Sequence, residues 1–158
     1  MTSPDLGLYF RTANQDDLDI IVTLNSQFNL AMPNFYWDQP EWVSTQIEHA
    51  RYFVLINPDN LVIGAICLTP LTDTNQLNLE TLAINPQHHG QGLGKKMIEF
   101  AKQKALEGRC ESLIVETFQC YKLEAFYLKC GFSKDEPYIL FENGEPYYRF
   151  KMKLEAKL

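Results

Sequence analysis

Hydrophobic and polar positions in the first third of the chain follow the period of a helix, framed by a short strand and a loop. Residues 7–12 are predicted to form the strand, after which Asn14 is placed to cap a helix with aspartates in its first turn. Apolar side chains then recur at helical spacing, which predicts an amphipathic helix over about 15–29. An aromatic, proline-broken loop at 30–40 leads to a second predicted helix near 40–50.

The middle of the chain changes to the two-residue period of β-strands. Apolar residues alternate on both sides of the turn Asn57–Asn60, so 51–69 is predicted to form a hairpin. Another strand is predicted over 75–84, and a glycine-rich turn after it leads into a helix from about 92 to 107. Gly108 is expected to close that helix as its left-handed residue.

The last third of the chain combines both patterns. Residues 111–117 are predicted to form a strand, and about 121–130 a helix that ends at Gly131. Residues 132–153 are predicted to hold two strands joined at a tight turn that contains Asn143-Gly144. This order of elements predicts a mixed α/β fold.

Composition and charge narrow the classes of function. A chain of 158 residues without repeats or linkers is expected to form a single domain over 1–158. Its formal charge of −6 argues against a nucleic-acid partner, because phosphates attract Lys and Arg, and it suits a cationic or amine-bearing partner instead. No apolar run is long enough to span a bilayer, so no membrane partner is expected.

The cysteines and the first residues of the chain favour a cytoplasmic protein. None of the four cysteines has the C-x-x-C spacing of a zinc site, so reduced thiols are expected. The opening residues lack the positive region and apolar run of a signal peptide. His88 and His89 are adjacent on a loop without nearby carboxylates, so they are expected to cap the turn, and no metal is expected.

The glycine-rich turn carries the strongest chemical signal. From Ile84 to Lys96 it reads INPQHHGQGLGKK, after a predicted strand and before a predicted helix. Its alternate glycines let the backbone turn tightly and present successive N–H groups without a Cβ in the way, while the helix adds the positive end of its dipole. These features indicate a site for a phosphate or pyrophosphate. The glycine spacing matches neither a Walker A loop nor a dinucleotide-binding fingerprint.

This turn resembles the acetyl-CoA loop of the GNAT N-acetyltransferases, whose pattern is Arg/Gln-x-x-Gly-x-Gly/Ala and which reads HGQGLG from His89 to Gly94 here. The segment Ala125–Phe132 is similar to the family's FY-x-x-x-GF helix end, and Phe10–Ala13 is similar to its usual opening. His89 stands in place of the family's Arg or Gln, and Cys120 in place of a frequent Asn. The resemblance covers nearly the whole chain and implies the GNAT fold, with a mostly antiparallel sheet flanked by helices.

The resemblance implies acetyl-CoA as co-substrate and a place for each of its parts. The predicted strands at 77–84 and 111–117 are expected to splay apart, and the pantetheine arm is expected to pair with the backbone of Leu82 and Ile84. The amides of Leu82 and Ala83 are expected to stabilise the oxyanion of the reacting thioester. The residues expected to hold the pyrophosphate end are His89, Gly90, Gln91, Gly92, Leu93, Gly94 and Lys95.

The resemblance also implies an acetyltransferase that moves the acetyl group to an amine by direct attack in a ternary complex. The amine has to lose a proton before attack, and Glu80 is the candidate base, with Asn78 as an alternative that positions a water. Tyr127 matches the family's usual acid for the leaving thiolate. Two alternatives stay open: Glu80 as a surface residue of its strand, and Tyr127 as a buried aromatic with a satisfied hydroxyl.

The acceptor amine and its pocket are left open by the sequence. Two groups of aromatic residues either pack in the protein or line that pocket. They are Phe35, Tyr36, Trp37 and Trp42, and Tyr138, Tyr147 and Tyr148. A small-molecule or peptide amine suits the family, in which homodimers are common. Two other functions remain: a non-catalytic acyl-CoA-binding or regulatory module on the same fold, and an acyltransferase that uses another acyl-CoA.

Overall fold

The computed structural model describes residues 7–71, 74–140 and 143–155, except the side chains of 136–140. Seven strands and four α-helices follow one another in this part of the chain, and their order confirms the predicted mixed α/β fold. They are β1 (Tyr9–Thr12), α1 (Leu18–Ser26), α2 (Pro40–Glu48), β2 (Tyr52–Ile56), β3 (Val62–Leu71), β4 (Gln76–Ile84), α3 (Leu93–Glu107), β5 (Ser112–Phe118), α4 (Glu124–Lys129), β6 (Ser133–Leu140) and β7 (Pro146–Lys153). Short 3₁₀ turns precede α1, α3 and α4.

These strands form one seven-stranded sheet in the order β1-β2-β3-β4-β5-β7-β6. Antiparallel pairs join β1 to β2, β2 to β3, and β7 to both β5 and β6, whereas β4 and β5 are parallel. The sheet is therefore mostly antiparallel, as the family resemblance implied.

The parallel register of β4 with β5 is short. It runs from the pair Gln76–Ser112 to the pair Leu79–Val115. The last residues of β4, Glu80–Ile84, lie outside this register, although both strands continue and both are fully described. Pairing between β4 and β5 therefore stops before either strand ends.

The described chain is made of two compact units. The first contains 7–30, 36–67 and 81–93, and the second contains 31–35, 68–71, 74–80, 94–140 and 143–155. β3 and β4 each begin in one unit and end in the other.

The core of the first unit is formed by apolar faces of α1 and α2 with side chains of the strands. Ile21 of α1 and Val43 of α2 are fully buried, because apolar residues recur on one face of each helix. The other buried members of this cluster are Ala13, Leu24, Ile47, Tyr52, Val54, Ile56, Ala65, Cys67 and Ala83. The apolar residues that recur at helical spacing in the sequence are therefore the ones that these helices bury.

A capping box joins β1 to α1 in the first unit. The Asn14 side chain accepts a hydrogen bond from the N–H of Asp16 at 2.9 Å, and the Asp17 carboxylate accepts one from the N–H of Asn14 at 2.8 Å. Arg11 donates two more hydrogen bonds to Asp17, at 2.8 and 3.1 Å. Burial raises the pKa of the Asp17 carboxyl, but the hydrogen bonds outweigh burial, and the pKa lies below its usual value. The predicted cap at Asn14 is confirmed.

In the second unit, the FY-x-x-x-GF segment ends α4 with a Schellman motif. Gly131 is the left-handed residue, with a φ of 106°. The N–H of Phe132 donates to the carbonyl of Tyr127, and the N–H of Gly131 donates to the carbonyl of Leu128, both at 3.1 Å. The rings of Phe132 and Tyr127 pack edge to face, with centroids 5.6 Å apart. The spacing of Tyr127, Gly131 and Phe132 in this segment is therefore that of a Schellman motif with its hydrophobic contact between the two aromatic rings.

The left-handed residue after α3 lies one position later than expected. It is Arg109, with a φ of 57°, and the prediction that Gly108 takes this role is wrong. The N–H of Cys110 donates to the carbonyl of Ala105 at 2.9 Å, and the N–H of Arg109 donates to the carbonyl of Leu106 at 3.0 Å. These two bonds complete a Schellman motif and place the reversal of the chain at Arg109.

Within the described residues, no helix is both long and apolar enough to cross a membrane. Cys67, Cys110, Cys120 and Cys130 are free thiols, of which Cys67 is buried and Cys120 is exposed.

Gly131 and Gly108 provide a matched test of how these helices end. Gly131→Ala is expected to lower the free energy of unfolding by about 1–2 kcal/mol, because the new side chain has to adopt a left-handed backbone conformation. Gly108→Ala is expected to raise it by about 0.4–1 kcal/mol, since Gly108 is not left-handed and alanine restricts the unfolded chain more than glycine does. An added Cβ meets its nearest atom at 3.6 Å in both cases, so crowding does not separate the two variants. Urea unfolding measures the difference, and equal losses contradict it.

Candidate functional site

The turn between β4 and α3 contains two glycines in left-handed backbone conformations. The φ angle is 81° at Gly90 and 77° at Gly92. A Cβ added at either position would meet no atom within 4 Å, so these glycines are needed for their backbone angles and not for room. The turn is exposed from His89 to Gly92, whereas Leu93, the first residue of α3, is buried.

The hydrogen bonds within the turn stop before its glycines. The N–H groups of Gln87 and His88 donate to Asn85 at 2.9 and 2.8 Å, and the N–H of His89 donates within the same turn at 3.2 Å. Among the residues that the structure describes, none accepts a hydrogen bond from the N–H groups of 90–92. The start of α3 adds further donors, because the first N–H groups of a helix have no partner inside it. The turn therefore offers a run of main-chain donors, as binding of an anion requires.

The side chain of His89 holds the turn to the end of β4. Its Nε2 lies 2.9 Å from the carbonyl oxygen of Ile84, and because a carbonyl only accepts, this nitrogen carries the proton. The Gln27 side chain donates to the same carbonyl at 3.0 Å. These contacts support the interpretation of His89 as a residue that caps the turn. The Ile84 carbonyl therefore already accepts two hydrogen bonds. An extended ligand that pairs with β4 cannot use this carbonyl as an acceptor.

The second unit brings together the two side chains that the sequence offered as alternatives for the base. The Asn78 side-chain amide donates to Oε1 of Glu80 and to the hydroxyl of Thr69, both at 3.3 Å. Glu80 is half-buried on β4. Asn78 is therefore able to orient the Glu80 carboxylate, and the two residues need not be alternatives.

A second carboxylate, Glu116 of β5, belongs to the same group of residues and was not identified from the sequence. Burial raises the pKa of the Glu116 carboxyl, and the charge of Glu80 acts in the same direction. The charge of Arg149 and a hydrogen bond from Tyr147 lower this pKa but do not cancel the rise. Leu79 pairs with Val115, so the two glutamates are the next residues of two parallel strands, and only that register brings them together.

The side chain of Glu116 is exposed to solvent on β5. On β7, Arg149 lies opposite Glu116, and its Nε is 3.2 Å from the carboxylate of Asp135 on β6. Acidic and basic groups thus alternate across neighbouring strands here.

Tyr127 is buried in an aromatic cluster of the second unit. Its ring centroid lies 5.1 Å from that of Phe126 and 5.6 Å from those of Phe132 and Phe150. Burial, and to a smaller extent the nearby Cys130, raises the pKa of the Tyr127 hydroxyl. The hydroxyl is protonated at neutral pH, as a proton donor has to be, and its raised pKa makes it a weaker acid than an ordinary tyrosine.

A buried polar chain holds β4 in the first unit at Thr81, a residue that the sequence did not single out. The Asn25 side-chain amide donates to the carbonyl of Trp37 at 2.7 Å and to the hydroxyl of Tyr52 at 2.8 Å. The Tyr52 hydroxyl lies 2.8 Å from that of Thr81. Tyr52 is completely buried, so this chain fixes the strand between Glu80 and Leu82.

The aromatic residues considered for the acceptor pocket have different surroundings. Trp42 lies against the core of the first unit, 6.2 Å from the Tyr52 ring, and Tyr36 stacks on Trp37 at 4.1 Å. Phe35 is buried. Tyr147 hydrogen-bonds Glu116, and Lys134 lies 4.4 Å from the Tyr148 ring. The side chain of Tyr138 lies outside the described residues.

A family model described as "Acetyltransferase (GNAT) family" matches residues 21–132. Among curated proteins, N-acetyltransferase family 8 member 3 from Rattus norvegicus is 28% identical over 111 residues. That match covers 67% of this chain and 45% of the rat protein, so the chain spans less than half of this relative's length.

Solved structures share the fold. A spermidine N-acetyltransferase mutant from Vibrio cholerae has a TM-score of 0.76 at 19% identity and covers 94% of both chains. An N-acetylglutamate synthase from Neisseria gonorrhoeae, complexed with coenzyme A and N-acetyl-glutamate, has a TM-score of 0.79 at 17% identity, over 94% of this chain and 35% of the other. At such low sequence identity, these similarities show only that the fold is shared.

Titration of Glu116 tests the arrangement of charges around it. Glu80→Gln is expected to lower the pKa of Glu116, because a like charge is removed, and Tyr147→Phe is expected to raise it, because the hydrogen bond to the carboxylate is lost. Carbon-detected NMR of the side-chain carboxyl groups measures both changes. Glu111→Gln, at the exposed position just before the same strand, is the control and is expected to leave the pKa of Glu116 unchanged. A response of Glu116 to Glu111→Gln but not to Glu80→Gln contradicts the arrangement.

Proposed function

The chain belongs to the GNAT acetyltransferase family, and on that basis we propose that it transfers the acetyl group of acetyl-CoA to an amine. The family membership confirms the resemblance read from the sequence. The expected activity is therefore that of an acetyltransferase. The structural relatives named for spermidine and for glutamate are named for acetylated amines, which supports a small-molecule amine as acceptor. The free cysteines suit a reducing compartment such as the cytoplasm.

The observation that carries the proposal is the glycine turn with its outward N–H groups. Gly90 and Gly92 take backbone angles that only glycine adopts readily, and no described residue accepts from the N–H groups of 90–92. We place the diphosphate of coenzyme A on these groups and on those of Leu93, Gly94 and Lys95 at the start of α3. The exposed Lys95 side chain adds a positive charge to this end.

We place the pantetheine arm along the part of β4 that follows the last β4–β5 pair. Since Glu80–Ile84 lie outside that register, this part of β4 suits an extended ligand that pairs like an additional strand. We assign the pairing to the backbone of Leu82 rather than to the occupied carbonyl of Ile84. The amides of Leu82 and Ala83 then lie beside the thioester and stabilise the oxyanion that forms on its carbonyl.

Proton transfers complete the proposed reaction. Glu80, oriented by Asn78, takes a proton from the substrate ammonium directly or through a water, and the amine nitrogen attacks the thioester carbon. The carbon–sulfur bond breaks as the amide forms, and Tyr127 gives its proton to the departing thiolate. The nitrogen releases its second proton to water as it becomes an amide, and Tyr127 regains a proton from water. None of these steps forms a covalent bond to the enzyme.

Release of free thiol from acetyl-CoA in the presence of an amine panel tests the reaction. Glu80→Gln and Tyr127→Phe are each expected to lower kcat by about 10²–10⁴-fold, the usual contribution of a general acid or base, and to leave the affinity for acetyl-CoA unchanged. Glu111→Gln and Tyr9→Phe remove the same groups at exposed positions and are expected to keep the wild-type rate.

The same assay separates the other functions. Tight binding of acetyl-CoA without transfer to any amine refutes the enzyme and indicates a binding module. Faster turnover with a longer acyl-CoA identifies a different acyl donor. Wild-type rates in both Glu80→Gln and Tyr127→Phe refute the assigned roles while leaving the reaction in place.

Gly92→Ala tests the diphosphate site separately from the chemistry. Alanine disfavours a φ of 77°, so the adjacent N–H groups are expected to turn away and the affinity for acetyl-CoA to fall by about tenfold or more. Gly144→Ala is the matched control, since Gly144 also has a positive φ, 85°, and open space around it. Calorimetry of both variants with acetyl-CoA measures the difference, and an equal affinity in the two variants rejects the proposed cradle.

A further inference from the structure

The last turn of α1 is joined to β4 at Thr81 by a buried chain of hydrogen bonds. The Asn25 side-chain amide donates to the Tyr52 hydroxyl at 2.8 Å, and this hydroxyl lies 2.8 Å from that of Thr81. The same amide donates to the carbonyl of Trp37 at 2.7 Å. The chain therefore connects the end of a helix, the loop after it and one residue of β4 within the first unit.

A second contact from the same end of α1 meets β4 at Ile84. Gln27, the residue that follows the helix, donates from its side-chain amide to the carbonyl of Ile84 at 3.0 Å and to that of Leu24 at 2.8 Å. An amide nitrogen carries two protons, so both are used. The side chain bridges the backbones of α1 and β4, and the segment Leu82–Ala83 lies between this contact and the one at Thr81.

Asn25 adds less stability than its hydrogen bonds suggest. Only 2% of this residue is exposed, and its Oδ1 is buried without a hydrogen-bond partner in the described part of the chain. An unpaired buried oxygen costs free energy, which offsets part of what the two N–H bonds contribute. The amide orientation is fixed nevertheless, because the Trp37 carbonyl only accepts and therefore faces the nitrogen. The chain is thus better explained by where it holds Thr81 than by the stability that it adds.

The segment of β4 between these two contacts is not held by β5. The β4–β5 register ends at the pair Leu79–Val115, and Glu80–Ile84 lie outside it. Main-chain hydrogen bonds restrict the movement of a strand, so the end of a ladder leaves more freedom to the residues beyond it. The two contacts from α1, together with the buried Ala83, restrict this segment from the side of the first unit.

We propose that Tyr52 and Gln27 are positioning residues for the acetyl transfer. They fix the stretch of β4 that carries the amides of Leu82 and Ala83, and neither of them needs to touch the reacting atoms. The inference rests on the proposed function, which assigns the thioester oxygen to these two amides. Donors stabilise a developing oxyanion when they are already held in the correct geometry, and a displacement of about 1 Å costs up to about 10²-fold in rate.

Two substitutions test the two contacts separately. Tyr52→Phe removes only the hydroxyl, and Gln27→Met removes the donating amide but keeps the length of the side chain. Each is expected to lower kcat by about tenfold, because the oxyanion donors are held less well. Each is expected to change the dissociation constant of acetyl-CoA by less than about twofold, because the glycine turn that is assigned to the diphosphate keeps its bond from His89.

Variants of Thr81 show whether Tyr52 acts through β4. Thr81→Val replaces the hydroxyl by a methyl group and is expected to reproduce the loss, whereas Thr81→Ser keeps the hydroxyl and is expected to stay within about twofold of the wild-type kcat. The double variant Tyr52→Phe/Thr81→Val is expected to be no slower than either single variant, because both break the same contact. Losses that multiply in the double variant overturn the role of Tyr52.

Two controls separate positioning from stability. Gln15→Met, just before α1, removes an amide that donates to the Ser44 carbonyl at 3.2 Å, and it is expected to keep the wild-type kcat. Val54→Ala opens a cavity on the same strand as Tyr52 and is expected to lower the urea midpoint but not kcat. Rates are compared at a temperature at which circular dichroism shows each variant to be folded. Equal losses of kcat in the controls and in the test variants overturn the inference. If Tyr52→Phe does not fold, Gln27→Met, at a half-buried position, decides the outcome.

Relaxation of the backbone amide nitrogens, measured by NMR, tests the inference without turnover. The order parameters of Leu82 and Ala83 are compared in the ligand-free proteins. They are expected to fall in Tyr52→Phe and Gln27→Met and to stay unchanged in Gln15→Met. If they fall and the wild type acetylates no amine, the segment is held as inferred and only the proposed function fails. If amines are acetylated but both variants keep the wild-type kcat and order parameters, the proposed function stands and the inference is overturned.

Discussion

The hydrogen-bonded ladder between β4 and β5 ends at Leu79 and Val115, and the chemistry proposed here depends on that early end. Each edge of a strand pairs with one neighbour, so a register that continued to the end of β4 would leave no edge for an extended ligand. Because pairing stops earlier, β4 has two parts with different roles. Its first part is held in the sheet, and the part from Glu80 onward suits the reacting groups, with Thr81 tied to the buried Tyr52.

Binding of the diphosphate is assigned to the main chain, and this explains which side chains are needed around it. Gly90 and Gly92 supply backbone angles, and the turn before them satisfies its own hydrogen bonds through Asn85. His89 stands where the family has Arg or Gln, and its ring is bonded to the carbonyl of Ile84. Its role is therefore to hold the turn to β4, so the departure from the family pattern leaves the main-chain donors of the turn intact.

Local segments of the sequence were read correctly because their structure is decided within a few residues. The cap at Asn14 and the Schellman motif at Gly131 are both closed by hydrogen bonds between residues at most five positions apart. The exception, Gly108, has the same cause, since a glycine near a helix end predicts the reversal of the chain only to within a residue. There the bond from Cys110 to Ala105 places the left-handed conformation at Arg109.

The sequence by itself determined the order of helices and strands, the glycine turn and the family, because periodicity, caps and spacing are local properties. The tertiary structure alone decided which polar side chains meet. Glu116 gave no signal in the sequence, since a glutamate in a β-rich run is ordinary, and it reaches the surroundings of Glu80 only through the parallel register that pairs Leu79 with Val115. That pairing joins distant parts of the chain, and hydrophobic periodicity says which face of a strand is buried but not which strand lies beside it.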